Sequence, residues 1–275
     1  MIGSSVSRKL RKAPLIVRRF GLIQTCQLLL PELVRGTRIS RSLGRPLARY
    51  TGRFRMRDST VLLLRPYSMD LGIFHEIWDH ERYTAGSISV VARHGTIVDI
   101  GAHIGLFSLF ASKVLQANRI ISVEPDSANF ELLSKNISAN HVENASLVKA
   151  AIAGESGEKR IYNTSSNTGG HSLYARGVSS IAVWTVSLTE LFKASNISEC
   201  SLLKMDCEGA EMEILENAPD KLLRNVSAIS LEYHLDDYPR ERLERLKTRM
   251  QTLGFNLEIR PTSRTLGILQ GIRRR

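Results

Sequence analysis

The feature that most constrains this chain is a change of rhythm at residue 96. From there on, apolar β-rich runs alternate with helical patterns. The runs are "TIVDI" (96–100), "RIISVE" (119–124), "ASLVKAAI" (145–152), "SLLKMD" (201–206) and "VSAISLEYH" (226–234). Helical spacing falls near 105–116, 127–140, 209–217 and 239–253. Strands that alternate with helices pack as a mostly parallel sheet covered on both faces, so the expected class is α/β and doubly wound. Between 155 and 188 the helical signal fails, and a β-rich insertion with a Gly-Gly loop is expected. "FNLEIRP" and "TLGILQGI" predict a closing antiparallel hairpin at the sheet edge.

Upstream, three segments are expected: a basic, mostly helical extension (1–48), an accessory hairpin and helix (49–95) and the main α/β domain (96–275). The hairpin would turn at Asp58-Ser59, and the helix would carry Leu71, Phe74, Ile77 and Trp78. The net charge is +11, but it is concentrated at one end. Residues 1–60 hold fourteen Lys/Arg against Glu32 and Asp58, while the remainder is nearly neutral. Such an arm suits peripheral contact with an acidic membrane or partner, or it is simply solvated. The segment "VRRFGLIQTCQLLLPEL" reads as an amphipathic helix that either lies on a membrane or packs on the body. Three cysteines without CxxC spacing argue against a disulfide framework or a structural zinc site and favour a reducing, cytoplasmic home. No apolar run is long enough to span a bilayer.

"TIVDIGAHIGLFSLFAS" places Asp99, Gly101, His103 and Gly105 between the first strand and helix of the main domain. Glycines at such a junction let backbone approach a ligand. A phosphate-binding P-loop is excluded, because no G-x-x-x-x-G-K-[ST] follows a strand. The dinucleotide fingerprint is incomplete, because His103 replaces its middle glycine and Asp99 would oppose a pyrophosphate. A phosphate-free cationic ligand, S-adenosylmethionine, suits the loop better. Asp99 would meet its ammonium directly or through water, and Glu124, 19 residues past Gly105, would accept from its ribose hydroxyls. A plain strand–helix turn is the alternative for the loop taken alone.

The second constellation is "KMDCEGAE". Asp206 closes a strand on the ligand rim, where it would orient an acceptor hydroxyl or take its proton. Lys204 shares its strand face and would pair with it. Glu208 and Glu211 read as first-turn acids favoured by the helix dipole. Glu232 and His234 share a face in "LEYH", with His234 a candidate base or a structural histidine. Asp206, Glu208 and Glu232 could supply hard oxygen ligands to a divalent metal, but their spacing is not diagnostic, and no metal is expected.

These motifs resemble the FkbM-type family of class I S-adenosylmethionine-dependent methyltransferases. The likeness runs from about 96 to 234, through "TIVDIGAHIGLFSL", "ISVEPDSANFELLSKNI", "KAAIAGESGEKRIY", "VSLTELF", "LLKMDCEGAEMEILENA" and "ISLEYH". "RPYSMDLGIFHEIWDHERY" resembles the stretch that precedes that core. The resemblance implies a seven-stranded Rossmann-like sheet of order 3-2-1-4-5-7-6, its last strand antiparallel. It also implies O-methylation of a hydroxyl on a sugar, a glycan- or lipid-linked saccharide or a secondary metabolite. The family more often carries Asn where this chain has His103. Nucleic acid is not the expected partner: the main domain lacks an aromatic-interleaved basic patch and the N-P-P-[YF] tetrapeptide. An RNA methyltransferase using the basic arm, or a non-catalytic binding module, is the competing reading.

Overall fold

The computed structural model describes residues 13–21, 24–26, 28, 50–66, 68–163, 171–172, 179–235 and 239–274. Helix α1 (Ala13–Phe20) is followed by strands β1 (Gly52–Arg55) and β2 (Val61–Leu64), then α2 (Asp70–Phe74) and α3 (Ile88–Ala92). The main domain continues with β3 (Thr96–Ile100), α4 (Leu106–Lys113), β4 (Arg119–Val123), α5 (Ser127–Ala139) and β5 (Ala145–Val148). Next come β6 (Ala151–Ala153), β7 (Gly157–Asn163), β8 (His171–Ser172), β9 (Ser179–Ser187) and α6 (Leu188–Ala194). Last are β10 (Leu202–Met205), α7 (Glu211–Asn217), α8 (Asp220–Leu223), β11 (Ala228–His234), α9 (Arg240–Thr252), β12 (Phe255–Pro261) and β13 (Leu266–Arg273).

Seven strands form the main sheet in the order β12-β13-β11-β10-β3-β4-β5. From β5 to β11 the pairing is parallel, and β13 runs antiparallel between β11 and β12. Counted from β3, this is the order 3-2-1-4-5-7-6 that the resemblance implies. Alternation along each strand feeds two cores. Ile97, Ile120 and Leu202 face one side with Phe107 and Phe110. Val98, Ile121, Leu203 and Ile229 face the other, against Leu191, Leu215 and Leu246. Both faces are therefore buried, as near-continuous apolar strands require.

The run 145–152 is not one strand. It breaks at Lys149-Ala150, and β6 pairs with β9 in a second, four-stranded sheet, β6-β9-β7-β8. An unbroken apolar run does not reveal that the chain changes sheets within it. The expected Gly-Gly loop lies outside the described residues.

The accessory hairpin docks on α5 through asparagine amides that imitate a neighbouring strand. The Oδ1 atoms of Asn136 and Asn140 accept from Leu63 N (2.7 Å) and Val61 N (2.8 Å). Their Nδ2 groups donate to Leu63 O (3.2 Å) and Val61 O (2.6 Å). Four backbone groups that a sheet edge would leave open are thereby satisfied. α2 continues as a π-helical turn over His75–Asp79. The phenyl ring of Phe74 stacks on Trp78, whose indole donates to Leu106 O (3.2 Å). α1, which overlaps the start of the segment read as an amphipathic helix, packs on the body. Ile16 and Phe20 are buried, and Arg19 Nε bonds Asp79 Oδ1 at 2.6 Å. The rest of the segment 1–48 lies outside the described residues, apart from Gly21, residues 24–26 and Leu28.

Candidate active site

A cavity of about 500 Å³ opens at the C-terminal ends of β3, β4, β10 and β11. That size suits a small-molecule site (about 300–1,000 Å³), and the rim is where open α/β sheets bind ligands. Gly101, His103, Glu124, Asp206, Glu232 and His234 all line it. Asp99 and Gly105 do not; they stand behind the wall.

The glycine loop has an obligatory backbone. Gly101 sits at φ +72°, and a Cβ there would lie 1.8 Å from the Asp206 carbonyl oxygen. Gly105 caps α4 at φ +86°, against Leu133. His103, between them, is also left-handed at φ +52°. Asn and His are enriched in that region among non-glycine residues, so His103 suits this backbone. Its N–H donates to Glu124 Oε2 at 2.8 Å. Its ring contacts Arg65 Nη2 at 3.1 Å, and Arg65 forms a bidentate pair with the fully buried Asp70 (3.0 Å for both bonds). The accessory segment thus braces the loop.

Glu124 closes the first wall. It is 5% exposed, with Oε1 accepting from Asp126 N (2.9 Å). Burial pushes its carboxyl up to about 7, and the N–H donors of Asp126 and His103 oppose that rise only in part.

Asp99 corrects the sequence expectation. It is completely buried, and its carboxylate pairs with Lys204 Nζ at 3.0 Å and accepts from Ser108 Oγ at 2.7 Å. It therefore stands behind the wall and supports it, without reaching the cavity surface. Lys204 is corrected with it: its ion-pair partner is Asp99, across the parallel register Lys204↔Asp99, and not Asp206. Its ammonium also donates to Gly101 O (2.8 Å) and Ile100 O (3.3 Å), which ties the strand to the glycine loop. Burial opposes that charge, but Asp99 and then Asp206 outweigh burial and keep the lysine protonated.

The opposite wall gathers acids from three elements. Burial alone would raise Asp206, but Lys204, His234 and the Tyr83 hydroxyl together hold it below the ordinary carboxylate range. Tyr83 donates to Asp206 Oδ2 at 2.8 Å and lies 3.4 Å from Glu232 Oε2. Arg82 pairs with Glu232 and with Glu76 (2.7 Å). Glu232 is pushed up to about 7 and Glu208 to about 8, in each case by burial first and then by Asp206. His234 has carboxylates at both nitrogens: Nε2 is 3.3 Å from Glu208 and Nδ1 is 3.6 Å from Glu211. Burial would lower it, but Glu211, Glu208 and Asp206 raise it to about 10, so at neutral pH it holds a proton and does not act as a free base. Glu211 does more than meet a helix dipole. It is fully buried and accepts from Cys207 N (2.8 Å) and Gly209 N (3.0 Å), which fixes the turn after β10. Sequence reasoning missed Arg82 and Tyr83; the resemblance of 65–83 to the stretch before the core was the signal that they mattered.

A doubly wound sheet of this order, with its ligand cavity over β3 and β10, defines a Rossmann-like class I methyltransferase fold. Residues 99–257 match the Methyltransferase FkbM domain, and the chain belongs to that family. "Methyltransferase 1" of Beauveria bassiana is 24% identical over 146 residues, 46% of this chain and 59% of that protein. The solved Methyltransferase FkbM of Methylobacillus flagellatus KT is 14% identical, with a TM-score of 0.47 over 66% of this chain and 44% of that one. TYW2 of M. jannaschii, solved in complex with AdoMet, is 13% identical, with a TM-score of 0.44 over 81% and 84%. This chain thus spans less than two thirds of the first two relatives.

Proposed function

We propose that the protein is an S-adenosylmethionine-dependent O-methyltransferase acting on a hydroxyl of a sugar, a glycan- or lipid-linked saccharide or a secondary metabolite. The observation that carries this reading is the charge of the cavity. Its Lys204 is spent on Asp99 and its Arg82 on Glu232 and Glu76, while Asp206, Glu208 and Glu211 converge on His234. A cavity with surplus carboxylates suits a cationic, phosphate-free cofactor and disfavours a nucleotide phosphate.

The chain's residues fit that cofactor in detail. Glu124 is buried at the end of β4, where a carboxylate accepts from a ribose diol. Gly101, with no side chain, lets the loop after β3 lie against the Asp206 carbonyl, which brings the two walls together. When bound, S-adenosylmethionine supplies a methyl group already activated for displacement. Asp206, held ionised and aimed by Tyr83, then orients the acceptor hydroxyl. Glu232, pushed up to about 7, is the group matched to take its proton. The aromatic faces of Tyr83 and Phe107 exclude water beside them.

Equilibrium titration tests the reading. S-adenosylmethionine should bind, and Glu124→Ala should weaken it by about ten- to a hundred-fold, the loss of hydrogen bonds to a charged group. Equal or tighter binding of NADH would overturn it. Methyl transfer to a panel of hydroxylated sugars and polyketide alcohols then sorts the acceptor class.

A further inference from the structure

We propose that the Asp206–Glu232–His234 corner of the cavity is a divalent-cation site of the Mg²⁺ or Mn²⁺ kind. One donor atom from each of the three residues lies within 4.8 Å of the others. Bonds of about 2.1–2.5 Å place opposite ligands about 4–5 Å apart, so the three can share one ion. Two hard carboxylates and one borderline imidazole form a mixed donor set, and the open cavity beside them leaves room for further oxygen ligands.

The corner has the support that a metal site needs. Its three residues stand at the ends of adjacent parallel strands, β10 and β11, in the register Met205↔Leu231, and not on a loose loop. Tyr83 orients Asp206, and Arg82 orients Glu232. Whichever ring nitrogen of His234 binds the ion, the other faces Glu211 or Glu208, the carboxylate–histidine–metal arrangement. Glu211 is itself anchored by two backbone N–H groups.

The binding of the ion stands independently of the reaction. Its role, holding an acceptor that presents two adjacent oxygens such as a vicinal diol, rests on the methyl-transfer reading.

Titration of the full chain with MnCl₂ alone, followed by the electron paramagnetic resonance signal of free Mn²⁺, tests the site. One ion per chain should bind, and Asp206→Asn and His234→Gln should each weaken it at least about ten-fold. Circular dichroism checks that the variants fold; if either does not, Glu232→Gln is read in its place. No binding by the folded wild type up to millimolar metal, or binding that these variants leave unchanged, overturns the proposal. The same preparations are titrated with S-adenosylmethionine. Cofactor binding without Mn²⁺ binding overturns the ion site alone. Mn²⁺ binding without cofactor binding upholds the ion site and overturns the methyl-transfer reading.

Discussion

Replacing Lys204 by Met removes the cation that pairs with Asp99 and the donor that holds the Gly101 carbonyl. Both partners are out of solvent, Lys204 at 3% and Asp99 at 0% exposure. At 3.0 Å, with an effective dielectric of about 20, their attraction is roughly 5 kcal/mol. Breaking such a buried pair from one side costs about 3–5 kcal/mol, because the other charge is stranded. Asp99→Asn should cost a similar amount by stranding the ammonium. The double variant, with neither charge left, should cost about as much as either single change. A double-mutant cycle by urea unfolding, followed by circular dichroism, measures this. For a chain of this size, each single variant should also lose roughly 6–15 °C in Tm. Losses below about 1 kcal/mol, or a double variant equal to the sum of the singles, would refute the claim that a buried ion pair ties β3 to β10.

Gly101→Ala should abolish cofactor binding and lower Tm, because its Cβ meets rigid backbone at φ +72°; calorimetry and titration read both effects, and retained affinity would contradict the close approach. Glu124 should make stability fall with pH. Its folded pKa of about 7 lies above its ordinary 4.5, so the native state holds the proton longer. The resulting penalty is absent below about 4.5, grows to roughly 3 kcal/mol by pH 7 and is constant above that. Glu124→Gln should therefore gain stability relative to wild type across that window, apart from a pH-independent offset; parallel urea titrations from pH 4.5 to 8 check it. Asp206→Asn should lose turnover while keeping cofactor affinity, since Asp206 lies on the acceptor side; unchanged turnover removes it from the mechanism. Tyr83→Phe should lower turnover about ten-fold or more through lost aim of Asp206, with cofactor affinity unchanged, as steady-state kinetics would show.

The strands and the glycine loop were legible because their signals are local; the order of the sheet came from the family resemblance. Apolar runs of strand length mark strands buried on both faces, and residues at strand ends share one rim whatever the loops do. Hence Gly101, His103, Glu124, Asp206, Glu232 and His234 could be named from the chain and are found around one cavity. The break at Lys149-Ala150 was not legible, because leaving one sheet for another changes no periodicity.

Partnership was the other thing that sequence alone could not decide. Spacing put Lys204 and Asp206 on one strand face, but the neighbouring strand brought Asp99 to within 3.0 Å of the ammonium, and the nearer charge took it. Arg82 and Tyr83 carry no motif, yet folding of 65–83 over the rim lays them on Glu232 and Asp206. The protonation of His234 and Glu124 likewise depends on burial and on charges far away in sequence. The sequence by itself determined which residues reach the rim, because strand alternation and glycine backbone are local properties. Only the tertiary structure decided which of them touch and what charge each carries, because Coulomb forces and desolvation act through space between elements that the sequence keeps apart.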